Sequence, residues 1–215
     1  MDIKIRNKNN IISRWNKIHQ NEIKNINHNS LHKSRICGFL AGDGNLVDKR
    51  YYIRFYPDHK SLIKPYLNSI EIVYNKKPKI IPKKNHYEII LSSKVIYQDL
   101  QKQCDFGIKN WNIPKKLLKF KENRIEWLKA FFDAEGHVHK KHLKLSSINE
   151  EGLQQVKNLL KTLGVNSRIY SYQPKNNNHS KTHQLLIYRK KDIQKYKELI
   201  GFNHSKKMGK LYKQF

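Results

Sequence analysis

The sequence has few cysteines and no long apolar run. Of its 215 residues only Cys37 and Cys104 are cysteines, far apart along the chain and without partners at metal-ligand spacing. This predicts a reducing compartment and no structural disulfide. No apolar stretch approaches the length of a spanning helix, and no basic amphipathic helix has an apolar stripe wide enough for a membrane surface. The N-terminus lacks a signal peptide's apolar core, so we expect an intracellular protein, in cytoplasm or an organelle matrix, without a membrane partner.

Acidic residues are also scarce. The chain has 17 Asp and Glu residues against 44 Lys and Arg, a formal net charge of +27. That excess is too large for an ordinary solvated surface and implies a polyanionic partner. Because the sequence offers no means of membrane attachment, nucleic acid is the partner we expect.

Two nonapeptides repeat one pattern: ICGFLAGDG at Ile36–Gly44 and LKAFFDAEG at Leu128–Gly136. Each ends in an acid followed by glycine, and the acids are Asp43 and Glu135. Small residues stand one and five positions before each acid. This i, i+4 spacing puts each small pair on one helix face, where two backbones can approach closely. The pairs are Gly38 with Gly42 and Ala130 with Ala134.

If these faces meet, the C-terminal ends of the two helices bring Asp43 and Glu135 together. Two carboxylates at the negative ends of two helices repel each other. Divalent cations relieve that repulsion, and hard cations such as Mg²⁺ prefer oxygen ligands. The pattern therefore predicts a metal site between the two acids.

Both nonapeptides resemble the LAGLIDADG motif of homing endonucleases, and residues 113–136 resemble the family's usual lead-in to the second motif. The resemblance covers nearly the whole chain and is to the double-motif, monomeric, intron-encoded type. Two departures are mild. The final acid of the second copy is Glu135 rather than Asp, and the sixth position of the first copy is Ala41 rather than Asp.

Spacing along the chain indicates a duplicated domain. Asp43 and Glu135 are 92 positions apart, and Phe106 and Phe202 are 96 apart, which is two copies of a domain rather than a solenoid. Each copy reads as αββαββα, so we predict an α+β fold whose two units form a saddle of antiparallel sheets, with the motif helices at their interface. The predicted parts are an N-terminal extension (1–30), a first domain (31–109), a connector (110–126) and a second domain (127–215).

Periodicity and capping residues predict the individual elements. The N-terminal extension has a short helix that packs on the first domain or adds phosphate contacts; a partly disordered tail is the alternative. Ser30 caps the first motif helix, and Pro65 bends a later one. The predicted helices are 10–25, 59–74, 95–103, 151–163, 191–200 and a helical tail after 202; the predicted strands are 51–57, 79–82, 87–92, 142–147, 167–173 and 183–188, with a polar turn at 174–182.

Alternation along the strands separates a core face from a face open to a ligand. Ile53 and Phe55 lie on one side, and Tyr52, Arg54 and Tyr56 on the other. A saddle of antiparallel sheets can lay strand pairs in the major groove of a duplex, and turn lysines reach phosphates. The expected contacts to double-stranded DNA are Asn45, Lys49, Arg50, Tyr52, Arg54, Tyr56, Lys79, Lys83, Lys84, His137, His139, Lys141, Lys144, Ser146, Arg168, Tyr170, Tyr172, Lys181, Gln184 and Tyr188.

The resemblance implies the chemistry. Asp43 and Glu135 bind Mg²⁺, for which Mn²⁺ can substitute, with the backbone carbonyls of Gly42 and Ala134 as further ligands. By position, Lys94 and Lys190 match the family's basic residues that stabilise the attacked phosphate. The implied product is a staggered double-strand break in a long, asymmetric DNA target, made by a monomer with an internal pseudo-twofold axis.

Other interpretations stay open. Some members of the family bind intron RNA as maturases, with or without cleavage, and a DNA-binding regulator could descend from the same fold. The acids at 43 and 135 favour cleavage, since a regulator tolerates their loss. His137 and His139 share a strand face and could bind a metal, but contact with DNA is favoured because no third ligand stands at zinc-like spacing.

We predict that binding to any duplex weakens steeply with salt. Each neutralised phosphate contributes roughly 0.9 to the log–log slope, so six to ten contacts mean a loss on the order of a thousandfold or more between about 50 and 200 mM salt. Neutralising Lys49, Lys84 or Lys181 in the turns should lower the slope by about one unit for every sequence. Replacing Arg54 or Gln184 on the strands should instead relax base choice. Salt titrations on specific and random duplexes check this, and the reverse assignment of effects would invert the two faces.

Overall fold

The computed structural model describes residues 3–173 and 180–215. Those residues form eight α-helices and eight β-strands in the predicted order, and none of the described helices is long and apolar enough to cross a bilayer. The helices are α1 Ile3–Lys24, α2 Ser30–Asp43, α3 Ile63–Tyr74, α4 Lys94–Gln101, α5 Lys121–Glu135, α6 Glu150–Thr162, α7 Lys190–Leu199 and α8 Ser205–Gln214. The strands are β1 Gly44–Val47, β2 Tyr52–Phe55, β3 Lys79–Pro82, β4 Tyr87–Ser92, β5 His137–Val138, β6 Leu143–Ser147, β7 Arg168–Tyr172 and β8 Thr182–Ile187.

Helices α2 and α5 carry the two motifs and run parallel through the centre of the molecule. At their N-terminal ends Asn123 Nδ2 donates to Ser30 Oγ (2.9 Å), and Arg35 pairs with Glu126 at 2.6 Å. Further along, a Cβ added to Gly38 would lie 2.5 Å from the Trp127 carbonyl oxygen and 2.9 Å from the Ala130 Cβ. The predicted contact between the small-residue faces is therefore confirmed.

The second small pair behaves in the same way. A Cβ on Gly42 would overlap the Ala134 methyl group and come within 3.3 Å of Glu135 Cγ. Around this contact the remaining helix faces carry fully buried aromatic side chains such as Phe39, Trp127 and Phe132. The two helices thus approach closely along the line of small residues, here called the helix seam, and their other faces bury large side chains.

Each half contributes one antiparallel four-stranded sheet, in the orders β1-β2-β4-β3 and β5-β6-β8-β7. One face of each sheet packs on the helices. Ile53, Phe55 and Ile89 line that face in the first half, and Leu145 and Leu185 in the second, all at most 1% exposed. The α+β fold built from two αββαββα units is confirmed.

Several element ends differ from the prediction. Helix α1 begins at Ile3, and α5 begins at Lys121, inside the predicted connector. Asn29, not Ser30, caps α2, because its side chain accepts from the His32 N–H at 3.2 Å. Of the polar turn predicted at 174–182, residues 174–179 lie outside the described part of the chain.

The bend predicted at Pro65 has no cause in the observed helix α3. Helix α3 begins at Ile63, after a short 3₁₀ turn at Lys60–Leu62, so Pro65 stands in the first helical turn. The N–H groups of that turn have no intrahelical acceptor in any case, so proline removes no bond there.

The C-terminal end of α1 packs on the first half. Ser93 Oγ donates to Glu22 at 2.7 Å, Lys76 pairs with Glu22 at 2.8 Å, and the Asn27 N–H donates to the Val73 carbonyl at 2.7 Å. Packing on the first domain, one of the roles predicted for the extension, is therefore observed over this stretch, and phosphate contacts stay a prediction.

We predict that Gly38→Leu destabilises the protein, because the new side chain meets the Trp127 backbone as well as Ala130. Overpacking of this kind costs about 1–3 kcal/mol, measurable by urea unfolding. Gly209→Leu is the matched control, since nothing lies within 4 Å of a Cβ built on that helical glycine. Equal stability of the two variants would mean that α2 and α5 do not meet through these faces.

Candidate functional site

Asp43 and Glu135 are the last residues of α2 and α5 and lie next to each other at the end of the helix seam. Burial, together with the nearby Glu135 carboxylate, raises the pKa of Asp43 to about 7. Burial also raises the pKa of Glu135. Two carboxylates that are costly to ionise, at the negative ends of parallel helices, form a site that a cation stabilises. This oxygen-rich donor set fits a hard divalent ion.

The two carbonyls predicted as further metal ligands are not equivalent. Gly42 and Glu135 border a cavity of about 230 Å³. The Ala134 carbonyl oxygen instead accepts a hydrogen bond from Lys207 Nζ at 2.9 Å. That oxygen therefore already faces a cation, and both Gly42 and Ala134 stay predicted metal ligands.

Lys207, in the first half of α8, is the residue that sequence reasoning missed. Its ammonium group donates to the carbonyls of Asp133 (2.5 Å) and Ala134, which lack intrahelical partners at the end of α5. A cation at a helix C-terminus is favourable. Burial lowers the pKa of Lys207, and the acids around it, including Asp43 and Glu135, oppose that shift.

A buried carboxylate places Lys207. Asp133, with no exposed surface, accepts hydrogen bonds from the Asn203 N–H (2.8 Å), the Asn203 side-chain amide (2.9 Å) and the His204 N–H (2.9 Å). Burial raises the pKa of Asp133 to about 6, and these hydrogen bonds oppose the shift. His204 in turn caps α8, accepting from the Lys207 N–H at 3.4 Å.

The same C-terminal segment also contacts the first half of the molecule. The His204 ring stacks on His59, with 4.7 Å between ring centroids, and its Nε2 lies 3.3 Å from Asp58 Oδ1. The Ser205 N–H donates to Ser61 Oγ at 3.1 Å. Residues 203–207 therefore join both halves beside the acid pair.

Lys94 and Lys190 do not reach the acids. They are the exposed first residues of α4 and α7. The register pairs Gly44, next to Asp43, with Phe55 and Phe55 with Ile89, whereas Lys94 lies beyond the Tyr52–Ser92 pair at the other end of the sheet. The three residue steps from Phe55 to Tyr52 span on the order of 10 Å, which separates Lys94 from Asp43. In the second sheet, Lys190 follows Ile187 at the corresponding end. The predicted role of both lysines is corrected, because equal spacing along the chain does not give proximity to the acids.

The side chains predicted to face a ligand do share the sheet faces turned away from the core, here called the open faces. In the first sheet Asn45 pairs with Arg54, Arg54 with Ile90, and Ile90 with Lys79 across neighbouring strands. In the second sheet, two rows of paired residues cross neighbouring strands on the open face, and Tyr172 lies on the same face two residues after Tyr170. Those of the predicted set are His137, Lys144, Arg168, Ser146, Gln184, Tyr170 and Tyr172.

The remaining predicted contact residues lie at the rims. The turn residues of this set are exposed. Two arginines stack on neighbouring tyrosines: Arg54 Cζ lies 5.1 Å from the ring centroid of Tyr52, and Arg168 Cζ lies 5.5 Å from that of Tyr188. Tyr56 follows β2 beside the ring of His86. The exposed turn and rim residues of the predicted set are Lys49, Arg50, Lys83, Lys84, His139, Lys141 and Lys181.

Glu88 is an acid that the prediction of a basic open face omitted. It lies one residue before Ile89 on β4 and pairs with Arg54 at 3.8 Å and with Lys83 at 3.3 Å. The alternation of β4 already assigned Glu88 to that side, so the signal was present in the sequence.

Three histidine rings follow Glu135. The ring centroids of His137 and His139 lie 6.3 Å apart and those of His139 and His142 lie 4.8 Å apart, and both pairs of rings are stacked. Within residues 3–173 and 180–215, no group of three or more His, Cys, Asp or Glu side chains has an arrangement that could hold a metal ion. Contact with DNA therefore stays the prediction for His137 and His139.

Comparison with known proteins agrees with this geometry. Residues 122–201 match the model of the LAGLIDADG-like domain. The fold is similar to that of the homing endonuclease I-DmoI in complex with DNA and Mn (TM-score 0.61, 20% identity, 80% of this chain and 96% of that chain). It is also similar to the N-terminal LAGLIDADG domain of DUF199/WhiA (TM-score 0.56, 20% identity, 82% and 83%). At these identities the likeness establishes the fold.

Curated relatives are distant. An uncharacterised protein of Methanocaldococcus jannaschii, MJ0398, is 28% identical over 199 residues, covering 84% of this chain and 70% of the relative. A glutamine–fructose-6-phosphate aminotransferase of the same organism is 25% identical over 186 residues. The chain spans only 17% of the length of that aminotransferase, and 82% of the chain is matched.

We predict that Asp43→Asn stabilises the metal-free protein at pH 8 and much less at pH 5. A carboxyl group whose pKa rises from 3.8 to about 7 binds its proton more tightly in the folded state. Stability therefore falls as pH rises from 3.8 through about 7, and asparagine avoids that loss. Thermal unfolding in chelator across this range is the measurement. Asp48→Asn, at an exposed turn acid, is the control, and parallel curves for wild type and Asp43→Asn would contradict the assignment.

Proposed function

We propose that this protein is a divalent-metal-dependent, site-specific homing endonuclease that makes a staggered double-strand break in a long, asymmetric DNA target. The observation that carries the proposal is the half-buried pair Asp43 and Glu135, at the ends of parallel helices from which β1 and β5 lead into the two sheets. The acid pair alone does not distinguish a nuclease from another metal site. Its position between two open faces rich in Arg, Lys, Tyr and amide side chains favours a duplex as the ligand.

Asp43, Glu135 and the Gly42 carbonyl would hold Mg²⁺. When bound, the metal activates a water and stabilises the leaving 3′ oxygen of a phosphodiester. The chain's own residues supply the remainder: burial keeps the two carboxylates in a low-dielectric site, and Lys207 adds positive charge beside them. The fold neighbour I-DmoI was crystallised with its target DNA in the presence of Mn and of Mg, which supports the choice of metal.

The open faces would position the duplex. Antiparallel ribbons present side chains at about 6.6 Å intervals on one face, or roughly every second base pair. Gln184 and Asn45 suit base edges, and the turn lysines suit phosphates. Because the sequences of the two faces differ, the preferred target would be asymmetric. The net charge of +27 would supply affinity for any duplex.

A second candidate is an intron-RNA-binding maturase of the same fold. The observation that favours it is a group of exposed lysines just before and at the start of α5, at the end of the helix seam opposite the acids. These lysines lie away from the open faces, so DNA bound there would leave them unused. They are Lys115, Lys116, Lys119 and Lys121.

The decisive experiment selects bound duplexes from a randomised library in Ca²⁺ and then tests them for cleavage in Mg²⁺. We predict that Asp43→Asn and Glu135→Gln abolish cleavage, because each removes a metal ligand, but leave duplex binding intact or slightly tighter. Glu71→Gln, at an exposed acid on α3, is the control and should cut like wild type.

Two outcomes would count against the nuclease. Cutting of both strands by either acid variant at near wild-type rate would remove the acids from the chemistry. Tight binding to intron transcripts, weakened by neutralising Lys115 and Lys116 and accompanied by no DNA cleavage, would favour the maturase.

A further inference from the structure

The outer edge of the second sheet carries a basic pocket that takes no part in the site of the two acids. A cavity of about 300 Å³, here called the outer-edge pocket, lies between α6, the start of β7 and the residues that follow β8. Its cationic lining residues are Lys157, Arg168 and Arg189. Among the ion pairs of the described residues, none involves these three side chains. A concave surface lined by charges of one sign concentrates ions of the other sign.

The neutral part of the lining also offers hydrogen-bond donors. Ser167 Oγ is buried at the pocket wall and has no hydrogen-bond partner among the described residues. Asp192 Oδ1 accepts from the Asn166 N–H (2.8 Å) and from its side-chain amide (3.0 Å), which fixes the backbone before β7. Arg168 stacks on Tyr188 through the face of its guanidinium group, which leaves the N–H edge available to an acceptor. The three cations of the pocket outnumber the single acid in this wall.

The corresponding place in the first half already holds an anion. Strand β3 pairs with β4 as β7 pairs with β8, and Ser93, directly before α4, stands 96 positions before Arg189, directly before α7. There the carboxylate of Glu22 accepts from Ser93 Oγ at 2.7 Å and pairs with Lys76 Nζ at 2.8 Å. The C-terminal end of α1 therefore carries a negative group to the place that the outer-edge pocket occupies in the second half.

That internal anion has no counterpart in the second half. Burial raises the pKa of Glu22, but hydrogen bonds from Lys76 and Ser93 outweigh burial and hold this pKa below its ordinary value, so the ionised carboxylate is the stable occupant. Residues 110–120, which precede α5, form no helix like α1. The outer-edge pocket consequently keeps the cations of an anion site without a carboxylate of the described chain to fill it.

The donors of the pocket suit a phosphate group. Guanidinium groups bind phosphate through paired N–H groups, and the first N–H groups of α7, beside Arg189, have no intrahelical acceptor. Arg168 belongs to the row of the open face that contains Leu186 and Lys144. Its strand, β7, lies three strand spacings from β5, or about 14 Å, and β5 directly follows the acid pair. A phosphate in the pocket is therefore remote from the proposed point of cleavage.

We propose that the outer-edge pocket is a phosphate-binding site and that a duplex on the open face places one backbone phosphate in it, at the flank of the target. The phosphate site is inferred from the pocket itself, whereas the DNA backbone as the carrier of the phosphate rests on the proposed function. Glu22 fills the corresponding place in the first half, so only the flank beside the second sheet is anchored in this way.

The first test titrates inorganic phosphate into the DNA-free protein at constant ionic strength and follows the backbone amides by nuclear magnetic resonance. We expect saturable shifts at residues 166–168 and 189–191 and none around Ser93. Arg189→Gln and Lys157→Gln should each weaken binding by about tenfold or more. Lys161→Gln removes the same charge one turn further along α6 and should bind like wild type. Equal weakening by Lys161→Gln, or no saturable shift at these amides, overturns the inference.

The second test identifies the source of the phosphate. Single methylphosphonates, which are uncharged, replace each phosphate of the selected duplex in turn. We expect one flanking position where the replacement weakens wild-type binding by about tenfold but leaves Arg189→Gln binding unchanged. If phosphate fills the pocket and no position couples to Arg189, free phosphate is the ligand and the backbone assignment is overturned. If no duplex is selected while phosphate still shifts the same amides, the proposed function fails and the phosphate site stands.

Discussion

The close parallel packing of α2 against α5 is the contact on which the site depends. Gly38 and Gly42 permit it, since a Cβ at either position would overlap α5. Parallel packing also aligns the two helix dipoles, which places two negative ends and two acids together. That arrangement is unfavourable by itself. The Arg35–Glu126 pair and the Asn123–Ser30 hydrogen bond hold the other end of the seam, and Lys207 offsets part of the negative charge at this end.

A site assembled in this way is electrostatically unfavourable in the absence of a cation. Burial raises the pKa of both carboxyl groups. In the absence of metal the folded protein therefore disfavours the doubly ionised state of Asp43 and Glu135, which is the state that the proposed chemistry requires. Perturbed carboxylates of this kind cluster at functional sites. The sheets and the helix seam provide the rigidity that maintains the arrangement, because both halves bury continuous apolar faces beneath it.

The seam and the sheets could be predicted because they depend on local periodicity. Small residues at i, i+4 and alternating strand residues carry that information directly, as Gly38 and Ile53 illustrate. Lys207 could not be predicted, since its position depends on a contact between Asp133 and Asn203, 70 residues apart, and nothing local marks one lysine among so many. The prediction for Lys94 and Lys190 was wrong for the converse reason. Their matched spacing along the chain is real, but the strand register places them at the end of each sheet that is far from the acids.

Glu88 shows that the two open faces should play different parts if the ligand is a duplex. A carboxylate near phosphates is repelled, so an acid on such a face is tolerable only where it meets base edges or neutralises neighbouring cations. Glu88 does the second for Arg54 and Lys83, which weakens their attraction for phosphate and fixes their orientation. The described strands of the second sheet carry no acid, so its Lys144 and Arg168 keep their full charge. For a duplex ligand, we therefore expect the second sheet to bind phosphates more strongly and the first sheet to discriminate between bases.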